Sequence, residues 1–172
     1  MGQTVAPGLG FDEVLPVCWS AEPLPVSIDP VVQLSAMAML EAQSAGDDEA
    51  SERSQLHALE AKVDLCLLLL AQQSAQGFPA RVERHVQVRG REVVWTQSEA
   101  VQSGSGWIGV VLSTRLPLPL VLPAELQVTP TGSGWLCVAK LVLSDDVLAE
   151  WWERTVFRHH RRQISRSRKA RH

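Results

Sequence analysis

The chain has 172 residues, of which 45% are hydrophobic and 20% charged, so it can form a hydrophobic core and lies outside the range of disordered sequences. Its three isolated cysteines, with no Cys-x-x-Cys pair, argue against a disulfide framework or a cysteine-based zinc site and favour a reduced, cytoplasmic location. No stretch is long and apolar enough to predict a membrane span, and the N-terminus lacks the pattern of a secretory signal.

Charge is strongly segregated along the chain. From Arg154 onward there are eight Lys and Arg residues and no acid, although the whole chain has a net charge of -3. Such a basic end can bind phosphates, nucleic acid or an anionic membrane surface. It can equally be a solvated helix end whose cations favour the helix dipole. The sequence leaves these alternatives open.

The N-terminal part is predicted to be irregular and then helical. Residues 1–28 are expected to form an irregular lead, because Pro16, Pro23 and Pro25 interrupt regular structure. Asp29 and Pro30 predict the start of a first helix, with an acidic N-cap and proline at the first helical position. Apolar residues at helical spacing extend that helix to about Ser44.

Residues 51–73, called the heptad helix below, carry the most regular pattern in the sequence. Apolar residues recur at alternating steps of three and four, which is typical of the a/d seam through which helices associate. Its Leu65–Leu70 end is apolar on every face, so we expect that end to pack on the β-domain as well. The alternative is a helix buried entirely within its own chain. The predicted oligomerisation residues are Leu56, Leu59, Val63, Cys66 and Leu70.

A region of short strands follows the heptad helix. β-branched and alternating segments are separated by glycine and proline, which predicts about six strands in a small antiparallel barrel or sandwich. In the fourth segment leucines alternate with Pro117 and Pro119, so it is expected to be an edge strand or a bulged crossing. The predicted strands are 82–88, 93–95, 107–113, 115–123, 125–129 and 135–143.

A last helix is predicted after the cap residues Ser144–Asp146. Beyond Ile164 almost nothing apolar recurs, so the end of the chain is expected to be frayed. The predicted buried face of this helix is Val147, Leu148, Trp151, Trp152, Thr155 and Val156. The predicted division of the chain is an irregular lead at 1–28, a helical extension at 29–76, a β-domain with its C-terminal helix at 77–166 and a basic tail at 167–172.

Catalytic and cofactor motifs are absent from the sequence. There is no His-Glu-x-x-His, no Gly-x-Ser-x-Gly and no P-loop. Gly104-x-Gly106-x-x-Gly109 has the spacing of a dinucleotide fingerprint but leads into a strand pattern rather than a helix, so we interpret it as a turn. The sequence therefore predicts a protein that is not an enzyme and has neither a metal nor a cofactor.

Three segments together resemble the atypical PilZ proteins of bacteria. They are the strand-Gly-strand unit at 82–95, the Leu-Pro-Leu-Pro-Leu run at 116–120, and Val-Phe-Arg-His-His-Arg-Arg at 156–162. The resemblance implies an α+β fold, in which a small six-stranded antiparallel β-barrel carries a C-terminal helix. It also implies added N-terminal helices, including one with heptads, through which subunits assemble, typically as tetramers. Many PilZ domains are receptors for cyclic di-GMP.

The resemblance also identifies candidate ligand residues. Ligand-competent PilZ domains carry Arg-x-x-x-Arg ahead of the barrel and Asp/Asn-x-Ser-x-x-Gly on an early strand. The second motif falls on His85-x-Gln87-x-x-Gly90, where only Gly90 matches, and the arginine pair is absent from the segment before that strand. Arginines at the same spacing occur instead in the last helix. The candidate ligand residues are Gln87, Gly90, Arg154, Arg158, Arg161 and Arg162.

We therefore predict a cytoplasmic, homo-oligomeric PilZ-type protein of cyclic di-GMP signalling that is not an enzyme. It is expected to form a homodimer or homotetramer through the heptad helix, to recognise a protein partner, and to bind nucleotide weakly or not at all. One alternative is a true cyclic di-GMP receptor that uses the C-terminal arginines. Another is a nucleic-acid binder that acts through the basic tail, which would show a steep dependence on salt.

Overall fold

Six antiparallel strands form a closed barrel. The computed structural model describes residues 9–25, 28–43, 59, 63, 66, 67, 70, 73, 82–143 and 145–169. The strands are β1 (Gly10–Ser20), β2 (Val82–Arg89), β3 (Glu92–Gln97), β4 (Gly104–Val110), β5 (Leu120–Thr131) and β6 (Gly134–Leu141). Around the barrel they follow the order β1-β2-β3-β6-β5-β4. Helix α1 (Pro30–Gln43) lies between β1 and β2 in the chain, and helix α2 (Asp146–Lys169) follows β6. The predicted α+β barrel is confirmed.

The barrel begins much earlier in the chain than predicted. Residues 10–20 are not an irregular lead but strand β1, which pairs with β2 and β4 and so closes the barrel. Pro16 is tolerated because it lies just before the first paired residue of β1 and β4, which is Val17. Its carbonyl faces β4 and accepts the N–H of Val111. The N–H that proline lacks would have pointed to the same side, where no β4 partner is paired with it. The predicted boundary at residue 77 is therefore wrong, since the barrel also contains β1.

The predicted strand at 115–123 is also wrong. Residues 111–119 form no strand, and β5 starts at Leu120 and runs on through the predicted 125–129 strand. Leu116 and Leu118 of this connection are buried, and the buried Gln33 side chain donates a hydrogen bond to the carbonyl of Leu118 at 3.0 Å. Pro117 and Pro119 thus stop the ladder, while Leu116 and Leu118 fill the space beneath α1.

Helix α1 starts where its sequence predicts. The Asp29 carboxylate accepts hydrogen bonds from the N–H groups of Val31 and Val32, which is N-capping by an acid. Leu34 and Met37 lie three residues apart on one face and are fully buried in the same core as the barrel interior. One hydrophobic core therefore joins the barrel to both helices.

Helix α2 is anchored on the barrel by Trp152. Its indole is fully buried, and Nε1–H donates a 2.7 Å hydrogen bond to the carbonyl of Gly90 in the β2–β3 turn. Asp145 caps the helix by accepting the N–H of Val147, whose side chain is exposed and so does not belong to the predicted buried face. The helix continues to Lys169, so the frayed end expected beyond Ile164 and the tail boundary at 167 are wrong.

The structure describes six residues of the heptad helix, and all are helical. Leu67 packs against the core cluster, which agrees with the expectation that this helix contacts the rest of the chain. Leu59, Val63 and Leu70 are 62%, 41% and 49% exposed, and Cys66 is exposed as well. A helix wholly buried within its own chain is therefore wrong for these four positions. Leu56 lies outside the described residues.

Candidate functional site

The candidate ligand residues of β2 and the turn after it make contacts within the chain. His85 Nε2 lies 2.9 Å from one carboxylate oxygen of Asp12 on the neighbouring strand β1, and Gln87 Nε2 donates to the other at 3.4 Å. Gly90 has the left-handed φ of +57°, and its carbonyl accepts the indole hydrogen of Trp152. This face of β2 thus presents a carboxylate beside the two non-matching motif residues.

The predicted arginines lie on α2, and two of them face α1 rather than β2. Arg162 Nη1 donates a 2.9 Å hydrogen bond to one oxygen of the Glu41 carboxylate, and Nη2 lies 2.7 Å from the other oxygen, which is buried and has no hydrogen-bond partner among the described residues. Arg158, one turn earlier, lies 3.8 Å from the same carboxylate and donates to Thr155 Oγ1. Helical spacing of four residues places both guanidinium groups on one side of α2.

The other two predicted arginines are surface residues. Arg154 pairs with Glu150 one turn away and lies 5.4 Å from the Trp151 ring. The Arg161 guanidinium lies 5.8 Å from the Phe157 ring. Within the described part of the chain, none of the four arginines hydrogen-bonds to Gln87 or Gly90, so the structure does not bring the six predicted ligand residues into one constellation. Their role in binding stays a prediction.

A groove runs beside this ion-pair cluster. It has a volume of about 830 Å³ and lies between β1, the end of α1, the 111–117 connection and α2. Its lining includes the acids Glu13 and Glu41 and the cations Arg115, Arg162 and Arg166. A smaller groove of about 380 Å³ is lined by residues of α2 alone: Arg158, Arg161, Arg162, Ser165 and Arg166. The first groove carries both signs of charge, whereas the second is lined only by cations and a hydroxyl.

Glu13 ties β1 to α2 at the edge of the larger groove. His159 is buried, stacks on Phe11 with ring centroids 4.5 Å apart, and lies with Nδ1 3.3 Å from the Glu13 carboxylate. The hydrogen bond from His159 lowers the pKa of Glu13; burial opposes this, and the nearby charges of His159, Arg166 and Arg162 add to the lowering. Adjacent His160 also contacts β1, through the Gly10 carbonyl. Both histidines therefore position α2 on the barrel.

Sequence patterns missed the acids that complete this cluster. Glu41 and Arg162 are separated by 121 residues, so no local spacing links them. One signal was available, because Glu41 is the only charged residue in the otherwise apolar α1 sequence. A lone acid at the end of an apolar helix suggests a specific partner. Among the described residues, no group of three or more His, Cys, Asp or Glu side chains could hold a metal ion.

A family comparison supports the fold directly. The family model described as "Atypical PilZ domain, cyclic di-GMP receptor" matches residues 31–169. The chain belongs to the atypical PilZ domain family. Because the match begins at residue 31, strand β1 lies outside the part of this PilZ chain that the family model covers.

A solved PilZ structure shares the fold over nearly the whole chain. It is a pathogenic protein from Xanthomonas campestris, described as a new tetrameric PilZ domain self-assembled via an unusual helical bundle. The TM-score is 0.73 and the sequence identity 24%, and the alignment covers 94% of this chain and 93% of the other. No curated protein matches the chain. Within its described residues, this PilZ protein has no helix long and apolar enough to cross a membrane.

Proposed function

We propose that this PilZ protein acts in cyclic di-GMP signalling as a non-enzymatic, self-assembling interaction module whose nucleotide binding is weak or absent. The observation that carries the proposal is the exposed seam of the heptad helix. Leu59, Val63, Cys66 and Leu70 are all exposed in the single chain and fall on one helical stripe. The stripe is the surface through which copies of the chain associate, as a homodimer or homotetramer.

Physical chemistry favours burial of this seam. Moving a Leu or Val side chain from water to an apolar contact stabilises by about 1.5–3 kcal/mol when burial is complete. Steps of four, three and four between the exposed residues match the knobs of a helical bundle. The Xanthomonas campestris neighbour is itself described as self-assembled via a helical bundle, which supports the same arrangement here.

The weak-ligand part of the proposal rests on β2. Where ligand-competent PilZ domains carry an Asp or Asn and a Ser, this chain has His85 and Gln87, and both contact the Asp12 carboxylate. A carboxylate at this place repels an approaching phosphate. The protein is therefore expected to exert its effect through a protein partner rather than through tight nucleotide binding.

A true cyclic di-GMP receptor is the second candidate, favoured by the arginine-lined groove on α2. Isothermal titration of the wild-type protein with cyclic di-GMP separates the two. The leading proposal predicts no saturable heat in the low micromolar range. Tight binding that disappears in Arg158→Ala or Arg161→Ala would establish the receptor instead.

The assembly itself is tested by light scattering on the double variant Leu59→Asp, Leu70→Asp. Two carboxylates in the seam cannot be desolvated in a bundle, so the variant is expected to be a monomer. The matched control is Ala58→Asp, Ala61→Asp, which adds the same number of charges to the same helix at the c and f positions of its first heptad, away from the seam. The control should keep the wild-type mass. Equal masses for the two double variants would contradict a role for the seam.

A further inference from the structure

Glu41 holds a position that an anion from outside the chain would favour. Its side chain is 9% exposed. One carboxylate oxygen accepts a hydrogen bond from Arg162, and the other lies 2.7 Å from the same guanidinium and 3.8 Å from that of Arg158. A guanidinium that pairs with a carboxylate can also pair with the oxygens of a phosphate. Glu41 therefore occupies the place beside these two arginines that a phosphate group would take.

The arginines of this face exceed the acids that neutralise them. Four guanidinium groups line the small groove, at Arg158, Arg161, Arg162 and Arg166. Among the described residues, the acids that contact them are Glu41, for the pair at 158 and 162, and Glu13, which lies 3.6 Å from Arg166. Arg161 lies over an aromatic ring instead. The groove therefore has a surplus of positive charge facing solvent.

Of the four arginines that line the small groove, Arg158 has a buried nitrogen whose hydrogen bonding is incomplete. Its Nε atom is buried and has no hydrogen-bond partner among the described residues. Burial lowers the pKa of Arg158, Glu41 opposes that change, and neighbouring Arg162 and Arg154 lower it further. A single carboxylate placed 3.8 Å away leaves this guanidinium incompletely paired. An oxyanion with more charge and more acceptor oxygens would satisfy it better.

We propose that Arg158 and Arg162 form a phosphate-binding site that Glu41 occupies in the ligand-free chain. The ligand is a small molecule bearing a phosphate group, and Glu41 is its internal competitor. Entry of the ligand displaces Glu41 and so releases the ion pairs that connect the end of α1 to α2. The site does not depend on self-assembly, and its failure would leave the light-scattering result unchanged.

The direct test compares Glu41→Gln with Glu150→Gln. Both substitutions remove one negative charge near α2, but Glu150 pairs with Arg154 on the helix surface and does not line the groove. Inorganic pyrophosphate and cyclic di-GMP are titrated separately into the full-length variants and the wild-type protein. Glu41→Gln is expected to raise the affinity for at least one of them by about tenfold or more. Glu150→Gln is expected to change it by less than about twofold.

The two ligands distinguish the source of the phosphate. A gain for pyrophosphate alone identifies a free phosphate site, whereas a gain for cyclic di-GMP identifies a nucleotide site, and either supports the proposal. The triple variant Glu41→Gln, Arg158→Ala, Arg162→Ala should lose the gain. An equal response of the two single Gln variants, or no gain for either ligand, would overturn the proposal.

A second measurement needs no substitution. Arginine Nε–H resonances of the wild-type protein are followed by NMR while pyrophosphate is added in excess. The resonances of Arg158 and Arg162 should shift together, because both lie at the site. Arg91 serves as the internal control, because it is exposed in the β2–β3 turn and lines neither groove. Shifts of similar size at all three arginines would mean nonspecific screening and would contradict a defined site.

Discussion

At the scale of single residues, Gly90 has a backbone conformation that other residues rarely adopt. It is the one candidate ligand residue that matches the family motif, and it holds a φ of +57° between β2 and β3. A side chain at this position would meet nothing within 4 Å. The cost of a substitution is therefore conformational, because residues with a Cβ rarely adopt the left-handed region.

Gly90→Ala is accordingly expected to lower the free energy of unfolding by about 1 kcal/mol. Gly132→Ala is the control, because Gly132 also has open space around it and its φ lies outside the left-handed region. That control should change stability by less than about 0.5 kcal/mol. Urea unfolding followed by circular dichroism measures both. Equal losses in the two variants would contradict the backbone explanation.

Glu13 should make stability depend on pH. Its folded-state pKa lies below the usual value of 4.5, so in the folded chain it stays ionised to a lower pH than in the unfolded chain. The stabilisation is complete above the unfolded pKa and is lost as the pH falls through the folded pKa. We expect Glu13→Gln to destabilise the protein at pH 7 and to converge with the wild type in strong acid.

Urea unfolding midpoints measured from neutral pH down through the acid range test this expectation. His159, Arg162 and Arg166 face Glu13 and stay unchanged in the comparison. The control is Glu125→Gln, which alters an exposed side chain on β5. Its unfolding midpoint should change with pH in the same way as that of the wild type. If the unfolding midpoints of Glu13→Gln and the wild type differ by the same amount at every pH, the lowered pKa of Glu13 does not contribute to stability.

At the scale of elements, Trp152 joins α2 to the barrel through a hydrogen bond at the edge of an apolar contact. Trp152 fills the core and satisfies the carbonyl of Gly90 with its indole hydrogen. Trp152→Phe keeps an aromatic ring but leaves that carbonyl without its donor and leaves a small gap. The expected loss is about 2 kcal/mol in the free energy of unfolding.

The matched control is Trp151→Phe, one position along the helix. Trp151 is only partly buried, and its ring lies beneath the Arg154 guanidinium at the surface. Its substitution should cost less than about 1 kcal/mol. Thermal or urea unfolding by circular dichroism separates the two. A larger loss for Trp151→Phe would mean that Gly90 is not the anchoring point of α2.

The elements differ in how well local sequence signals them. Helix α1 was predictable because Asp29 and Pro30 mark its start, and the β2–β3 unit because Gly90 marks its turn. Strand β1 was missed because its proline and two successive acids hide the alternation. A strand tolerates such a proline only where the missing N–H has no partner in the neighbouring strand. The pairing of β1 with β4 in the closed barrel decides this, and local sequence does not show it.

The candidate site was less predictable than the fold. Spacing alone placed Arg158 and Arg162 on one face of α2. Their partner Glu41 comes from α1 and the Glu13 contact comes from β1, so both pairings exist only once the barrel has brought these elements together. The predicted end of α2 was also too early. No apolar repeat marks the residues beyond Ile164, although the helix continues to Lys169.

At the scale of the whole molecule, the exposed seam makes Cys66 a reporter of assembly. Cys18 and Cys137 are buried, whereas Cys66 lies exposed on the apolar stripe of the single chain. In an assembled bundle the Cys66 thiol is covered, so Ellman's reagent should react with it slowly in the wild-type protein. In Leu59→Asp, Leu70→Asp the same thiol should react rapidly, while Ala58→Asp, Ala61→Asp keeps the slow rate.

Rapid reaction of Cys66 at the same rate in all three proteins would contradict coverage of the seam. Unfolding is a separate route to thiol exposure, and the count of reactive thiols identifies it. One reactive thiol per chain indicates an accessible seam on a folded protein. Three would indicate loss of the fold, since Cys18 and Cys137 are buried in the folded chain.

The central claim is that copies of this PilZ chain associate through the heptad helix, and the mass of the wild-type protein in solution tests it most directly. One chain has a mass of 18.9 kDa. Sedimentation equilibrium over a range of protein concentrations should give twice or four times that mass, because the exposed leucines and valine are buried only between copies. A mass of one chain at every concentration would contradict the claim.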